Sequence, residues 1–169
     1  ELFFDDCAIP EGNILGREGL GFNYLIQKLQ PERLIVAVGC QSGAENCLKI
    51  TMDYVRERKM FGKPLSKFQN TQFMLADLAS EISMGRSFVD DLIRNHMNGK
   101  DVMMETCMAK LRTSELLNRV ADRCLQLFGG YGYCQEYPIS KAFLDARVNS
   151  IYAGTSEIMK LVISRLMGL

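Results

Sequence analysis

The sequence lacks a net charge: 20 Lys and Arg stand against 20 Asp and Glu. Nothing electrostatic therefore draws it to nucleic acid. No run of about 18 apolar residues occurs, which excludes a helical membrane span. Histidine is limited to His96, and none of the six cysteines forms a CxxC, so no zinc-type metal site is expected. There is no basic segment followed by an apolar one, so no signal peptide is visible. The initiator Met is missing as well. The chain opens Glu1-Leu2-Phe3-Phe4, as a fragment or a processed chain would.

What is present is apolar and helical. Hydrophobic residues make up 47% of 169 positions, enough for one sizeable core. Cys107 and Cys124 fall in apolar-periodic stretches, the habit of reduced core thiols, and point to a reducing compartment. Leu2–Ile9 reads as a lone strand ending in a turn at Pro10-Glu11-Gly12-Asn13, so its sheet partners belong elsewhere. From Phe22 the period becomes three and four, through Leu25, Ile26 and Leu29. Pro31 is expected to kink this helix or start a fresh one. Leu34, Ile35, Val38, Leu48, Met52 and Val55 carry the pattern on to about Lys59.

A second long helix is expected through Leu75, Leu78, Ile82, Val89 and Leu92, with Ser66 as a possible cap and Asn98-Gly99 as its end. A third carries Met104, Cys107, Leu111, Leu117, Val120, Cys124 and Leu127, and stops at Gly129-Gly130. Pro138 opens a shorter helix to about Val148, and Thr155 caps a last one. Three long and two short helices describe an all-α, antiparallel helix bundle preceded by one strand. The ten methionines are read as core gap-fillers rather than a binding groove. The small residues Gly39, Ser42, Gly43 and Ala44 allow either close helix packing or room for a ligand.

Four stretches say more than packing requires. Gln126-Leu127-Phe128-Gly129-Gly130, continuing to Gly132, ends a helix. One glycine there is a C-cap; the others let backbone approach a flat or phosphate-bearing ligand. Gly154-Thr155-Ser156-Glu157 opens a helix, where Thr155 is an N-cap or its neighbours' amides form an anion site. Arg58, followed by Phe61-Gly62 and Gln69, is either a surface cation at a helix end or a contact to phosphate or adenine. The fourth is Gln30-Pro31-Glu32-Arg33.

Together these stretches resemble the C-terminal helical domain of the acyl-CoA dehydrogenases, over essentially the whole chain. Residues 1–16 look like the tail of that family's middle β-domain, and 17–169 like its helical bundle. The resemblance implies a flavoenzyme. FAD takes a hydride from the β-carbon of an acyl-CoA while a carboxylate removes an α-proton, and electrons pass to electron-transfer flavoprotein. It implies that Arg58, Phe61, Gln69 and Gln126–Gly130 (Gln126, Leu127, Phe128, Gly129, Gly130) hold the ADP part of a neighbouring subunit's flavin. Thr155, Ser156 and Glu157 would contact the flavin of their own subunit. It further implies a homo-oligomer, a dimer of dimers, in the mitochondrial matrix of a eukaryote or the cytoplasm of a bacterium. The chain alone is expected to bind little FAD and to be inactive, because the resemblance leaves out the β-domain.

One position departs from the family's commonest pattern. Where many members carry the catalytic base as Glu, this chain has Ala153, which takes no proton. In the long-chain and isovaleryl branches the Glu lies on the first long helix before an Arg, and here Glu32-Arg33 stands there. Glu32 is therefore the expected base, with Gln30, Pro31, Arg33, Tyr152 and Gly154 lining the substrate. A long-chain substrate is favoured over a branched one. A carboxylate in that apolar setting is expected to be buried or paired with a cation; the alternative is a surface Glu near a helix start.

Overall fold

The computed structural model describes residues 1–169. Its elements are α1 (Gly21–Glu57), a two-stranded hairpin of β1 (Lys59–Met60) and β2 (Lys63–Pro64), α2 (Gln69–Met97), α3 (Met103–Phe128), α4 (Pro138–Val148) and α5 (Ser156–Leu166). The central element is α3, which packs against each of the other four helices. Its burial explains why. Thr106, Cys107, Ala109, Lys110, Thr113, Ser114, Leu117 and Ala121 are all buried, so more than one face of the helix is covered.

The α1–α3 seam is close because its residues are small. Ala37, Cys40, Ala44 and Cys47 face the core from α1. A Cβ added at Gly43 would lie 3.2 Å from Leu117 Cδ1. Gly43 and Ala44 thus serve helix packing, the first of the two alternatives their small size allowed. The methionines meet the expectation only in part, Met74 packing against the main core. Met159 is the one methionine that is fully buried, while Met84 and Met97 are exposed. Cysteine and alanine fill the gaps instead, which suits helices packed this tightly.

Three boundaries differ from the sequence pattern. Pro31 neither ends nor begins a helix; α1 runs through it. A proline forfeits one backbone hydrogen bond, and a long helix with a packed face absorbs that loss. Ser66 caps nothing. It sits in a short 3-10 turn, Leu65–Lys67, and its carbonyl accepts from Gln72 Nε2 at 2.9 Å. Phe61-Gly62 does more than end α1. With φ of 52° and 82°, the two residues form the tip of the β1–β2 hairpin, where left-handed backbone matches strand twist. Leu2–Ile9 forms no β-ladder in this chain and leaves Leu2, Phe3 and Phe4 exposed. All six cysteines are free thiols, and no helix is long and apolar enough to cross a membrane.

A polar cross-link joins α1 to α2. Arg86 donates from Nε and Nη2 to the two oxygens of Glu45, each at 2.7 Å, and Gln41 Nε2 adds a bond of 2.9 Å. The Arg86 hydrogen bonds hold the Glu45 carboxyl below the usual carboxylate range. A depressed folded pKa stabilises above the unfolded carboxylate pKa and is lost as pH falls through the folded one. Both side chains are about one-third exposed, so the pair is worth only about 1 kcal/mol at neutral pH. Glu45→Gln is expected to lower the melting temperature by about 2–4 °C at pH 7. That gap should close as the pH is taken below the carboxylate range; a gap independent of pH would show that the charge is not what stabilises.

Candidate functional site

Two far-apart stretches meet at the start of the α1–α3 seam. Arg33 Nε donates to the Ala153 carbonyl at 3.0 Å, and Lys110 Nζ donates to the Gly154 carbonyl at 2.6 Å. The Gln30–Arg33 turn of α1 therefore stands beside the Tyr152–Thr155 loop that precedes α5. That loop is sharply turned: Ala153 has φ 54° and Gly154 has φ 105°. Tyr152 donates its hydroxyl to Asn149 Oδ1 at 2.6 Å, which fixes its ring to the end of α4. At Gly154 a Cβ would lie 2.6 Å from Met159 Cε, so the loop seats directly on α5.

Glu32 lies on this turn but is neither buried nor paired. It is exposed and makes no side-chain hydrogen bond or ion pair. The expected burial or pairing is not found. The reason is helical geometry: successive residues point about 100° apart, so Arg33 turns to the loop and Glu32 does not share its contacts. The alternative of a surface Glu holds as to exposure, but not as to a helix start, since α1 begins at Gly21. Gln30 and Pro31 are half-buried beside it. Arg33, expected to meet substrate, is engaged with Ala153 and lies 3.9 Å from Cys107 Sγ.

The other stretches form two further surfaces. Arg58, Gln126, Leu127, Phe128, Gly129 and Gly130 line one cavity of about 680 Å³, with Tyr54, Tyr131 and Cys134 among its other walls. Tyr54 stacks on Phe128 with ring centroids 4.0 Å apart, and the Arg58 guanidinium sits 5.3 Å from the Tyr131 ring centroid. Burial pushes the Tyr54 hydroxyl pKa up, against the lowering influence of Arg58. Phe61 and Gln69 do not line this cavity. Phe61 is 89% exposed at the hairpin tip, and Gln69 is exposed as the first residue of α2. A cation, aromatic faces and glycine backbone suit an adenine and its phosphates. Added Cβ atoms at Gly129 or Gly130 would meet nothing within 4 Å, so that backbone is open to a ligand. These residues fit the ADP part of a dinucleotide.

Thr155, Ser156 and Glu157 line a polar cleft of about 630 Å³ with Arg147, Arg119 and Lys160. Thr155 Oγ1 accepts from the Ile158 amide at 3.3 Å and so caps α5. Hydrogen bonds from its own amide and from Thr155 hold the Glu157 carboxyl below the usual range.

Comparison with known proteins decides what this arrangement is. Residues 19–168 match the acyl-CoA dehydrogenase C-terminal domain. The chain belongs to the acyl-CoA dehydrogenase family. It is similar to the mitochondrial long-chain specific acyl-CoA dehydrogenase of Rattus norvegicus, with 47% identity over 98% of this chain and 38% of that protein. Among solved structures it superposes on an acyl-CoA dehydrogenase from Geobacillus kaustophilus with a TM-score of 0.96 and 49% identity, covering 99% of this chain and 44% of that one. It also superposes on butyryl-CoA dehydrogenase from Megasphaera elsdenii with a TM-score of 0.92 and 36% identity, covering 98% and 43%. The chain thus spans less than half the length of these relatives.

For this family member, sequence reasoning missed Lys110. Its side chain is fully buried, and burial pushes its pKa down. One signal was available: a lysine three residues after Cys107 falls on a helix face otherwise given to the core. Tyr54 was also missed as a wall of the Arg58 cavity, because a tyrosine next to the apolar stripe of α1 reads as core, and Tyr131, though inside the glycine-rich stretch, was given no role there.

Proposed function

We propose that this chain is the C-terminal domain of an FAD-dependent acyl-CoA dehydrogenase, which converts a long-chain acyl-CoA to its trans-2-enoyl-CoA in fatty-acid β-oxidation. The observation that carries the reading is the Arg33–Ala153 hydrogen bond. It brings the turn bearing Glu32 against the loop where alanine stands in place of a carboxylate. Glu32, with no competing partner in the chain, is the base that takes the α-proton. Such a proton is weakly acidic and needs a carboxylate positioned to take it. Backbone amides of the Tyr152–Thr155 loop are suited to polarise the thioester oxygen and acidify that carbon. FAD, when bound, supplies the hydride acceptor.

The Arg58 and Gln126–Gly130 cavity would take the ADP part of a flavin held mainly by a neighbouring copy, and Thr155–Glu157 would meet the flavin of their own copy. That sharing needs at least a second copy of the chain, and a dimer of dimers is the proposed assembly. Electron-transfer flavoprotein is the proposed acceptor, and the mitochondrial matrix the proposed location in a eukaryote. The rat relative's long-chain name supports the chain-length assignment.

The test is anaerobic flavin absorbance in the full-length protein. Palmitoyl-CoA is expected to bleach the flavin band within seconds, and isovaleryl-CoA to leave it largely intact. Faster bleaching by isovaleryl-CoA would move the enzyme to the branched-chain group. No bleaching by any acyl-CoA would remove the dehydrogenase assignment.

A further inference from the structure

Lys110 is buried without a counter-ion. It forms no salt bridge, and its one hydrogen bond goes to the Gly154 carbonyl at 2.6 Å. A buried ammonium is costly unless its hydrogen bonds repay the lost hydration. An aliphatic side chain would fill the same space more cheaply, so packing alone does not explain a lysine there. Its surroundings are Cys40 and Arg33, neither of which neutralises it as a carboxylate would.

The loop it holds needs holding. Ala153 at φ 54° is a non-glycine residue in left-handed backbone, which is unfavourable for an L-residue. Two cationic side chains from two different helices grip successive carbonyls, Arg33 from α1 on Ala153 and Lys110 from α3 on Gly154. No peptide bond in the chain is cis. In a trans peptide the carbonyl and the following N–H point in opposite directions. Pinning the Ala153 and Gly154 carbonyls towards α1 and α3 therefore turns the amides of Gly154 and Thr155 the other way. Neither amide donates to any acceptor in the chain.

We propose that Lys110 is a positioning residue: with Arg33 it fixes both loop carbonyls inward and so aims the Gly154 and Thr155 amides at an acceptor oxygen of the bound ligand. The clamp stands on contacts within this chain. Only the identity of that ligand, an acyl thioester or its flavin, rests on the proposed dehydrogenase function.

The experiment is Lys110→Met in the full-length holoprotein, read by amide hydrogen exchange and by steady-state kinetics. Exchange at Tyr152 and Ser156, whose amides donate to the Val148 and Ser150 carbonyls at either end of the loop, is expected to rise by about tenfold or more, with protection in α2 unchanged. A small misplacement of positioned groups can lower turnover by about 10²-fold, so kcat should fall on that order while KM moves little. Lys110→Arg, which keeps a cationic donor, should recover part of both. Unchanged exchange in the loop overturns the proposal, and so does loosening of α2 to the same degree. Should Lys110→Met fail to fold, Arg33→Met loosens the neighbouring carbonyl from a half-buried position. Loop protection unaltered in that variant also overturns the clamp. A wild-type protein inactive on every acyl-CoA would defeat the functional reading, while the exchange result would still decide the clamp.

Discussion

Glu32→Gln in the full-length protein is expected to lower acyl-CoA turnover by about 10²–10⁴-fold, the usual worth of a positioned general base, while FAD stays bound. Glutamine keeps the shape and removes the proton acceptor. The structure makes this substitution unusually clean. Glu32 has no hydrogen bond or ion pair within the chain, so the variant breaks no fold contact and should melt within about 0.5 kcal/mol of wild type. A loss of turnover then reports chemistry and not unfolding. Glu32→Asp, with the carboxylate drawn back by one methylene, should fall between the two. Full activity in Glu32→Gln would take Glu32 out of the mechanism, since Ala153 offers no replacement acceptor.

How legible these features were depended on whether a residue's role is local. The five helices were readable because apolar spacing and terminal glycines act within a few residues. Gly129 at φ 59° ends α3 as its sequence implies, and the Thr155 cap is present. The Phe61-Gly62 hairpin was not readable, because its strands are only two residues long and show no alternation. Site residues divide the same way. Gln126–Gly130 and Arg58 converge on one cavity, but Phe61 and Gln69 stand outside it, because a motif's spacing does not say which way a hairpin tip points. Arg33 was assigned to substrate, yet its partner is a carbonyl 120 positions away. Lys110 is the extreme case. Nothing nearby in sequence announces that a lysine in a core stripe will reach a loop carbonyl 44 residues on.

The glycines after α3 allow fold and ligand binding to be separated by substitution. Gly132 is buried, and a Cβ there would lie 2.8 Å from the Leu125 carbonyl oxygen, 3.0 Å from Leu125 Cγ and 3.1 Å from Phe128 Cβ. Leu125 O belongs to the last turns of α3 and cannot swing aside as a side-chain tip would. Phe128 in turn stacks on Tyr54, so displacement there spreads into the aromatic cluster. Gly132→Ala is therefore expected to destabilise by about 1–3 kcal/mol, the usual range for overpacking. For a chain of this size that is a melting-temperature drop of roughly 2–4 °C per kcal/mol. At Gly130, two residues earlier, an added Cβ would meet nothing within 4 Å, and its backbone faces the Arg58 cavity. Gly130→Ala should leave the melting temperature of the apoprotein unchanged yet weaken FAD retention, because the new methyl occupies space the ligand needs. Equal melting of Gly132→Ala and wild type would show that α3 gives way where its packing says it cannot. Undiminished FAD retention in Gly130→Ala would show that the cavity walled by Arg58 and Gln126 is not where the cofactor lies.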